Sequence, residues 1–121
     1  MKPSDFAVAL VSVPEKDAPL AERLAKGLVQ NKLAACVTRL AGAASNYVWE
    51  GKLEEDREIL LMIKTRMALF PSVSRYIREN HPAKIPEIIA LPLAAGDAPY
   101  LDWLGANTLF AKPVEGDNLP F

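Results

Sequence analysis

Cysteine and histidine are almost absent from this sequence, and their scarcity restricts its chemistry. The 121 residues include one cysteine and one histidine, so no internal disulfide can form and one chain cannot build a zinc finger. Basic and acidic side chains nearly balance, with 14 Lys+Arg against 15 Asp+Glu. A chain without a basic field is a poor match to the phosphates of nucleic acid. We therefore expect neither a disulfide scaffold nor a nucleic-acid-binding protein.

Long apolar segments and common catalytic motifs are also missing. No apolar run approaches the roughly 20 residues that a membrane-spanning helix needs, and residues 1–5 lack the apolar segment of a signal peptide. The sequence contains no Walker A motif, GxGxxG, HExxH, CxxC or GxSxG. These absences predict a cytoplasmic chain with no membrane span, no organic cofactor and no recognisable enzyme chemistry.

The remaining pattern is that of one small domain over residues 1–121, with residues 110–121 as a poorly patterned tail. Short apolar runs predict strands, and apolar repeats every three to four residues predict helices. In chain order the predicted elements are a strand over 6–13, a helix over 18–30, strands over 33–49 and 54–63, a helix over 68–80, a strand over 88–91 and a last helix over 100–109. This order predicts an α+β fold, a ferredoxin-like βαββαβ sandwich with an additional C-terminal helix.

Three local signals refine this outline. Glu50-Gly51 separates two strand-like segments and predicts a tight hairpin turn with a positive φ angle. Gly42 predicts a bulge or bend within the second strand. Asn31 is suited to a left-handed residue at the end of the first helix.

The first and third strands are apolar at both odd and even positions, which creates a packing problem. The two main helices cover only one face of the sheet, whereas an antiparallel sheet with one solvated face normally alternates apolar and polar residues. The second face therefore needs a partner, and another copy of the chain is the commonest one. We also expect the projecting hairpin over 44–56 to lie on a neighbouring subunit, because an isolated hairpin is marginal in water.

Six short segments resemble the CutA divalent-cation-tolerance family. They are LAACV (33–37), YVWEGK (47–52), IKT (63–65), NHP (80–82), PEII (86–89) and YLDWL (100–104). These segments occur in family order at family-like spacing, and the likeness covers residues 6–108. The resemblance implies a ferredoxin-like subunit in a homotrimer, related in architecture to the PII signalling proteins. It also implies a role in tolerance of copper and other divalent metals, and no catalytic reaction.

Cys36 and His81 are the candidate metal ligands, with copper or another divalent cation as the expected metal. Some family members have copper attributed to a cysteine near the end of strand one and to two adjacent histidines. Those positions here carry Val11 or Ser12, Asn80 and His81, so one ligand is retained. A thiolate suits Cu(I), and a site between chains can combine several copies of one histidine. The alternatives are a core role for Cys36 and a helix-end role for His81.

Lys64 and Glu87 are isolated charges beside or within apolar strands. Buried charges are rarely left unpaired, so these two residues either pair across the sheet or face a cleft at a subunit boundary. The resemblance favours a ligand cleft that combines them with Tyr100 and Trp103.

Tyr47 and Trp49 are two residues apart and share one strand face. Aromatic residues at this spacing are usually packing anchors, so we predict an interface role, with an aromatic-walled pocket as the alternative. The charged run over 54–58 is interpreted as a solvated strand end.

Three function classes remain open from the sequence. The first is a trimeric, non-enzymatic divalent-cation-tolerance protein that binds a metal or small ligand between subunits, with itself as its main partner. The second is a PII-like small-molecule signalling or scaffold trimer without a metal function. The third is a small enzyme that uses His81 as acid or base and Glu87 as its orienting partner.

Overall fold

The computed structural model describes residues 1–109, so the predicted tail over 110–121 lies outside the described residues. The regular elements are β1 (Phe6–Pro14), α1 (Ala18–Gln30), β2 (Cys36–Trp49), β3 (Lys52–Arg66), α2 (Phe70–Asn80), β4 (Ile88–Pro92) and α3 (Ala98–Ala106). Three single turns of 3-10 helix cover residues 3–5, 15–17 and 67–69. The predicted α+β order is confirmed, including the third helix.

The four strands form one antiparallel sheet in the order β2-β3-β1-β4. Strand β2 begins at Cys36 rather than at Leu33, because the amides of Leu33 and Ala34 donate to the carbonyl of Leu28 at the end of α1. The predicted left-handed residue at Asn31 is wrong by one position. The residue with positive φ is Lys32, and the side chain of Asn31 instead donates to the carbonyl of Gly27 within the helix.

One face of the sheet is fully covered by α1 and α2. Along β1, alternate residues from Ala7 to Val13 are completely buried, and Leu61 and Ile63 of β3 meet them in register. Leucines spaced four apart on α1 close over this layer. A continuous apolar stripe on one helix face gives this arrangement directly.

The other face of the sheet is apolar and largely uncovered in one chain. We call it the open face, and it consists of Leu10, Leu40, Leu60, Met62, Ile89 and Leu91. Leu40, Ile89 and Leu91 are 50–53 % exposed. Helix α3 covers only one end of this face, where Leu101 and Leu104 pack against Phe6. The predicted excess of apolar side chains on the second face is therefore present.

Strands β2 and β3 form a long hairpin whose turn agrees with the prediction. Glu50 and Gly51 have φ angles of 51° and 79°, as a two-residue type I′ turn requires. Gly42 has a φ of 86°, and the pairing register shifts between Leu40 and Ala43, which confirms the bulge. Beyond the bulge the hairpin projects from the sheet, and its contact with a neighbouring subunit stays a prediction.

The hairpin turn offers a direct test of this backbone geometry. Glu50→Asn should slow amide exchange in the hairpin, because Asn adopts the left-handed region at lower cost than Glu. Gly51→Ala should accelerate exchange about fivefold, since a Cβ at positive φ costs roughly 1 kcal/mol. Open space surrounds Gly51, so a steric clash does not confuse the result. Equal exchange rates in the two variants would contradict the assigned turn.

Candidate functional site

A cleft of about 600 Å³ lies between the β2–β3 hairpin and the segment over residues 81–87 that joins α2 to β4. We call it the hairpin cleft. Its chemistry-bearing side chains are Tyr47, Trp49, Asp56, Glu58, His81 and Glu87. The four hairpin residues share one face of the strand pair, because β2 and β3 present alternate residues to that side.

Two main-chain groups hold His81 inside the cleft. The amide of Ala83 donates to Nδ1 at 3.0 Å, so this nitrogen carries no proton. The proton is then on Nε2, which donates to the carbonyl oxygen of Ser12 at 2.8 Å. Neither ring nitrogen offers a free lone pair to a metal or a free position for proton transfer. His81 ties its segment to strand β1, which is a structural role.

The second candidate metal ligand, Cys36, lies on the other side of the sheet from α1 and α2 and is half-buried. It is therefore not a core residue. The ammonium group of Lys64 donates to its Sγ at 3.8 Å and also contacts the hydroxyl of Thr38. Partial burial, and then the neighbouring Cys36, raise the pKa of Tyr100 above its usual value. We call Cys36, Thr38, Lys64 and Tyr100 the lysine cluster.

The aromatic residues of α3 stand beside the lysine cluster. The rings of Tyr100 and Trp103 are 5.7 Å apart between centroids, and both side chains remain more than 40 % exposed. Arg66 fixes the end of this helix by donating to the carbonyl of Gly105 at 2.7 Å and to the hydroxyl of Thr108 at 2.9 Å. Arg66 was not among the predicted site residues, because its only signal in the sequence is a charge at the end of an apolar strand.

The structure divides the predicted site residues into two groups. Glu87 and His81 lie in the hairpin cleft with the predicted interface residues Tyr47 and Trp49, whereas Lys64, Tyr100, Trp103 and Cys36 lie toward the other end of the sheet.

The predicted ion pair between Lys64 and Glu87 does not form within residues 1–109. Lys64 is in register with Val8, whereas Glu87 precedes Ile88, which is in register with Val11. Glu87 is therefore level with Ser12, and four residues along a strand separate it from the level of Lys64 by about 13 Å. One chain therefore does not assemble the ligand cleft that was predicted from all four residues.

The cleft also contains carboxylates that the sequence analysis interpreted as a solvated strand end. Asp56 accepts a hydrogen bond from the hydroxyl of Tyr47, and Glu58 accepts one from Ser45. The hydrogen bond to Asp56, together with partial desolvation and nearby carboxylates, raises the pKa of Tyr47 to about 12. The sequence signal for these carboxylates was the alternation of side chains between the two faces of a strand. Even-numbered residues of β3, which include Asp56 and Glu58, face the same side of the hairpin as Tyr47.

One chain does not fit a copper ion. Its two candidate soft or borderline donors are separated, and both nitrogens of His81 are engaged. Among residues 1–109, no group of three or more histidine, cysteine, aspartate or glutamate side chains is arranged to hold a metal.

None of the helices in this part of the chain has the length and apolar composition needed to cross a bilayer.

Comparison with known proteins shows clear similarity. The family model described as "CutA1 divalent ion tolerance protein" matches residues 7–107. The divalent-cation tolerance protein CutA of Thermus thermophilus is 45 % identical over 101 residues, which is 84 % of this chain and 96 % of that protein. Its solved structure superposes with a TM-score of 0.80 at 44 % identity, covering 85 % of this chain and 98 % of that chain.

Two eukaryotic relatives are longer than this chain. The CutA homologue of Xenopus laevis is 49 % identical over 100 residues, which is 83 % of this chain and 65 % of that protein. A CutA protein of Arabidopsis thaliana, named as chloroplastic, is 45 % identical over 101 residues. The match covers 84 % of this chain and 54 % of the Arabidopsis protein, so this chain spans about half the length of that relative.

Removing the His81 ring should destabilise the fold. His81→Ala removes two hydrogen bonds, one to the half-buried carbonyl group of Ser12 and one from the exposed amide of Ala83, which lowers the free energy of unfolding by about 1–2 kcal/mol. Urea unfolding at fixed chain concentration measures the change. Lys84→Ala, in the same segment, is the control and should have little effect. An unchanged stability in His81→Ala would contradict the structural role.

Asp56→Asn should lower the pKa of Tyr47 from about 12 toward the usual value near 10. The difference in tyrosinate absorbance between each protein and its Tyr47→Phe counterpart isolates this group during alkaline titration. Because the folded-state pKa is raised, the contribution to stability is present below pH 10 and is lost as the pH rises through 12. Glu55→Gln, on the opposite hairpin face, is the matched control. A titration unmoved by Asp56→Asn would show that this carboxylate does not perturb Tyr47.

Proposed function

The chain belongs to the CutA1 divalent ion tolerance family, and we propose that it acts as a cytoplasmic, homotrimeric divalent-cation tolerance protein without enzymatic activity. In this proposal a divalent cation or a small ligand binds at clefts between subunits. The open face of the sheet is the observation that supports this assembly.

The open face is too apolar to remain in water. Three of its aliphatic side chains are about half exposed: Leu40 lies on one edge strand, and Ile89 and Leu91 lie on the other, with Leu10, Leu60 and Met62 on the two strands between them. Contiguous apolar patches of this kind mark association surfaces rather than ordinary monomer surface. Exposed Val48 and Leu53, paired across the hairpin tip on its opposite face, form a second apolar surface that one chain leaves uncovered. A second and third copy of the chain supply the missing cover.

The division of the site residues supports a ring rather than a symmetric dimer. The hairpin cleft and the lysine cluster lie toward opposite ends of the sheet. In a cyclic trimer each interface joins two different surfaces, whereas a twofold dimer joins a surface to itself. In the proposed ring Glu87 of one subunit lies toward Lys64 of the next, and this pairing completes the predicted ligand cleft between chains.

The metal part of the function requires donors from more than one subunit. Within one chain His81 has no free nitrogen, and Cys36 is in contact with an ammonium group rather than with other ligands. The same observation favours a second candidate function, a small-molecule signalling or scaffold trimer without a metal role. The enzyme hypothesis loses its only candidate base, since the His81 ring is held by main-chain groups.

A charge on the open face should abolish assembly and ligand binding together. Ile89→Lys places an ammonium group at a position that is half exposed in one chain, so the subunit tolerates it while the interface does not. We expect later elution in size-exclusion chromatography and, by calorimetry, loss of any Cu²⁺ binding that the unmodified protein shows. Circular dichroism checks that the variant is folded.

Val29→Lys is the matched control for this experiment. Val29 is 40 % exposed on α1, on the covered side of the sheet, so its substitution should leave both assembly and binding unchanged. Unchanged elution of a folded Ile89→Lys protein would contradict the proposed interface. Loss of assembly with intact Cu²⁺ binding would instead contradict a site between subunits.

A further inference from the structure

We propose that Arg66 is a positioning residue, which holds the C-terminal end of α3 and thereby fixes the two aromatic rings of this helix beside Lys64. The inference rests on the proposed function, in which the lysine cluster, Tyr100 and Trp103 form one side of a ligand cleft between subunits. The contacts that support it lie within one chain, and the groups that make them are buried there.

The guanidinium group of Arg66 is buried against the end of α3. Arg66 is 9 % exposed, and it donates from Nη2 to the carbonyl of Gly105 at 2.7 Å and from Nε to the hydroxyl of Thr108 at 2.9 Å. That hydroxyl in turn donates to the carbonyl of Leu104 at 3.0 Å. A buried charge is costly when its hydrogen bonds are lost, so the end of α3 is held firmly against Arg66.

The same contacts satisfy the end of the helix. The last carbonyl groups of a helix have no partner within it, and the helix dipole places partial negative charge there. Helix α3 ends at Ala106, so the carbonyl of Gly105 is one of these groups. Gly105 also lets the helix backbone lie against the guanidinium, since a Cβ there would be 3.4 Å from Nη2 of Arg66 and 3.6 Å from Cζ of Phe6.

Apolar packing alone does not determine how α3 is oriented. Leu101 and Leu104 pack around Phe6, and apolar contacts of this kind are non-directional. The helix has nine residues, a length at which an isolated helix is marginal in water. Its N-cap residue, Asp97, makes no side-chain hydrogen bond to the helix within residues 1–109. Hydrogen bonds have a narrow range of angles, so Arg66 supplies a directional contact that the packing lacks.

Strand β3 connects this contact to the lysine cluster. Lys64 and Arg66 are two residues apart, so they point to the same side of the strand and lie about 7 Å apart along it. Both positions are paired with β1, which fixes this spacing. Cys36, which contacts Lys64, lies near enough to Tyr100 to influence its pKa. One strand therefore sets the distance between the ammonium group and the aromatic rings of the helix that Arg66 holds.

Arg66→Lys tests the proposal by fluorescence. An ammonium group keeps the charge, but it cannot reproduce the planar fork of a guanidinium group that reaches two acceptors. Trp49→Phe leaves Trp103 as the only tryptophan, so its emission reports on α3. In this background we expect Arg66→Lys to increase the quenching of Trp103 by acrylamide, because the end of the helix is released. Unchanged quenching would overturn the proposal.

The ionisation of Tyr100 is the second readout. Partial burial is the larger cause of its raised pKa, so release of α3 in Arg66→Lys should lower that pKa toward the usual value near 10. The difference in tyrosinate absorbance between each protein and its Tyr100→Phe counterpart isolates this group. A protein that is merely less stable, with α3 still in place, would show no change in this pKa.

Thr65→Val is the matched control for both readouts. Thr65 is fully buried on the opposite side of β3, where its hydroxyl donates to the carbonyl of Leu33 at 2.6 Å. Its replacement removes a buried hydrogen bond and lowers stability in urea, but it leaves the contacts of α3 intact. Equal changes at Trp103 and Tyr100 in the two variants would show that Arg66 contributes only to stability, and would overturn the positioning role.

Calorimetric titration with Cu²⁺ distinguishes this inference from the proposed function. If the unmodified protein binds Cu²⁺ between subunits, Arg66→Lys should weaken binding about tenfold, as the loss of a residue that orients ligand-binding groups does, and Thr65→Val should not. Undiminished binding by Arg66→Lys would overturn its role at the site. Absence of Cu²⁺ binding by the unmodified protein would contradict the proposed metal function, and the two spectroscopic readouts, which need no ligand, would decide the role of Arg66 separately.

Discussion

The main physical constraint on this structure is that the helices of one chain cover only one face of its β-sheet completely. Four strands with apolar side chains on both faces need two protecting layers, but α1 and α2 provide only one. Helix α3 protects a single end of the other face, around Phe6. Each exposed leucine or isoleucine that is removed from water contributes on the order of 1–2 kcal/mol, so the open face favours association strongly. The proposed assembly and the proposed location of ligand sites between subunits both follow from this one constraint.

The β2–β3 hairpin links the sheet to the cleft. Its inner residues belong to the same alternation that creates the open face, but beyond the bulge at Gly42 the alternation presents aromatic and acidic side chains instead of aliphatic ones. The bulge thus marks a change in surface chemistry along one continuous strand pair. The segment over 81–87 closes the other side of the cleft, and His81 secures it to β1. His81, which the sequence suggested as a metal ligand, instead forms hydrogen bonds with main-chain groups and has a structural role.

Most of the fold could be predicted because its signals are local. The repeat of apolar residues every three to four positions predicted the helices, and the Glu50-Gly51 pair predicted the hairpin turn. Apolar residues at both odd and even positions of β1 predicted that the second face of the sheet is apolar. The roles of His81 and Lys64 could not be predicted in this way. The ring of His81 bonds to the carbonyl of Ser12, 69 residues away, and Lys64 contacts a strand partner rather than Glu87. Register along the sheet decides such contacts, and charge patterns do not reveal register.

Sedimentation equilibrium of the unmodified chain at micromolar concentration tests the central constraint most directly. One chain has a mass of 13.2 kDa. If the open face is covered by two further copies, the particle has three times the 13.2 kDa chain mass, about 40 kDa, with no monomer at the low end of the concentration range. A stable, well-behaved species at 13.2 kDa would show that the sheet tolerates water on that face, and the account of assembly would be wrong.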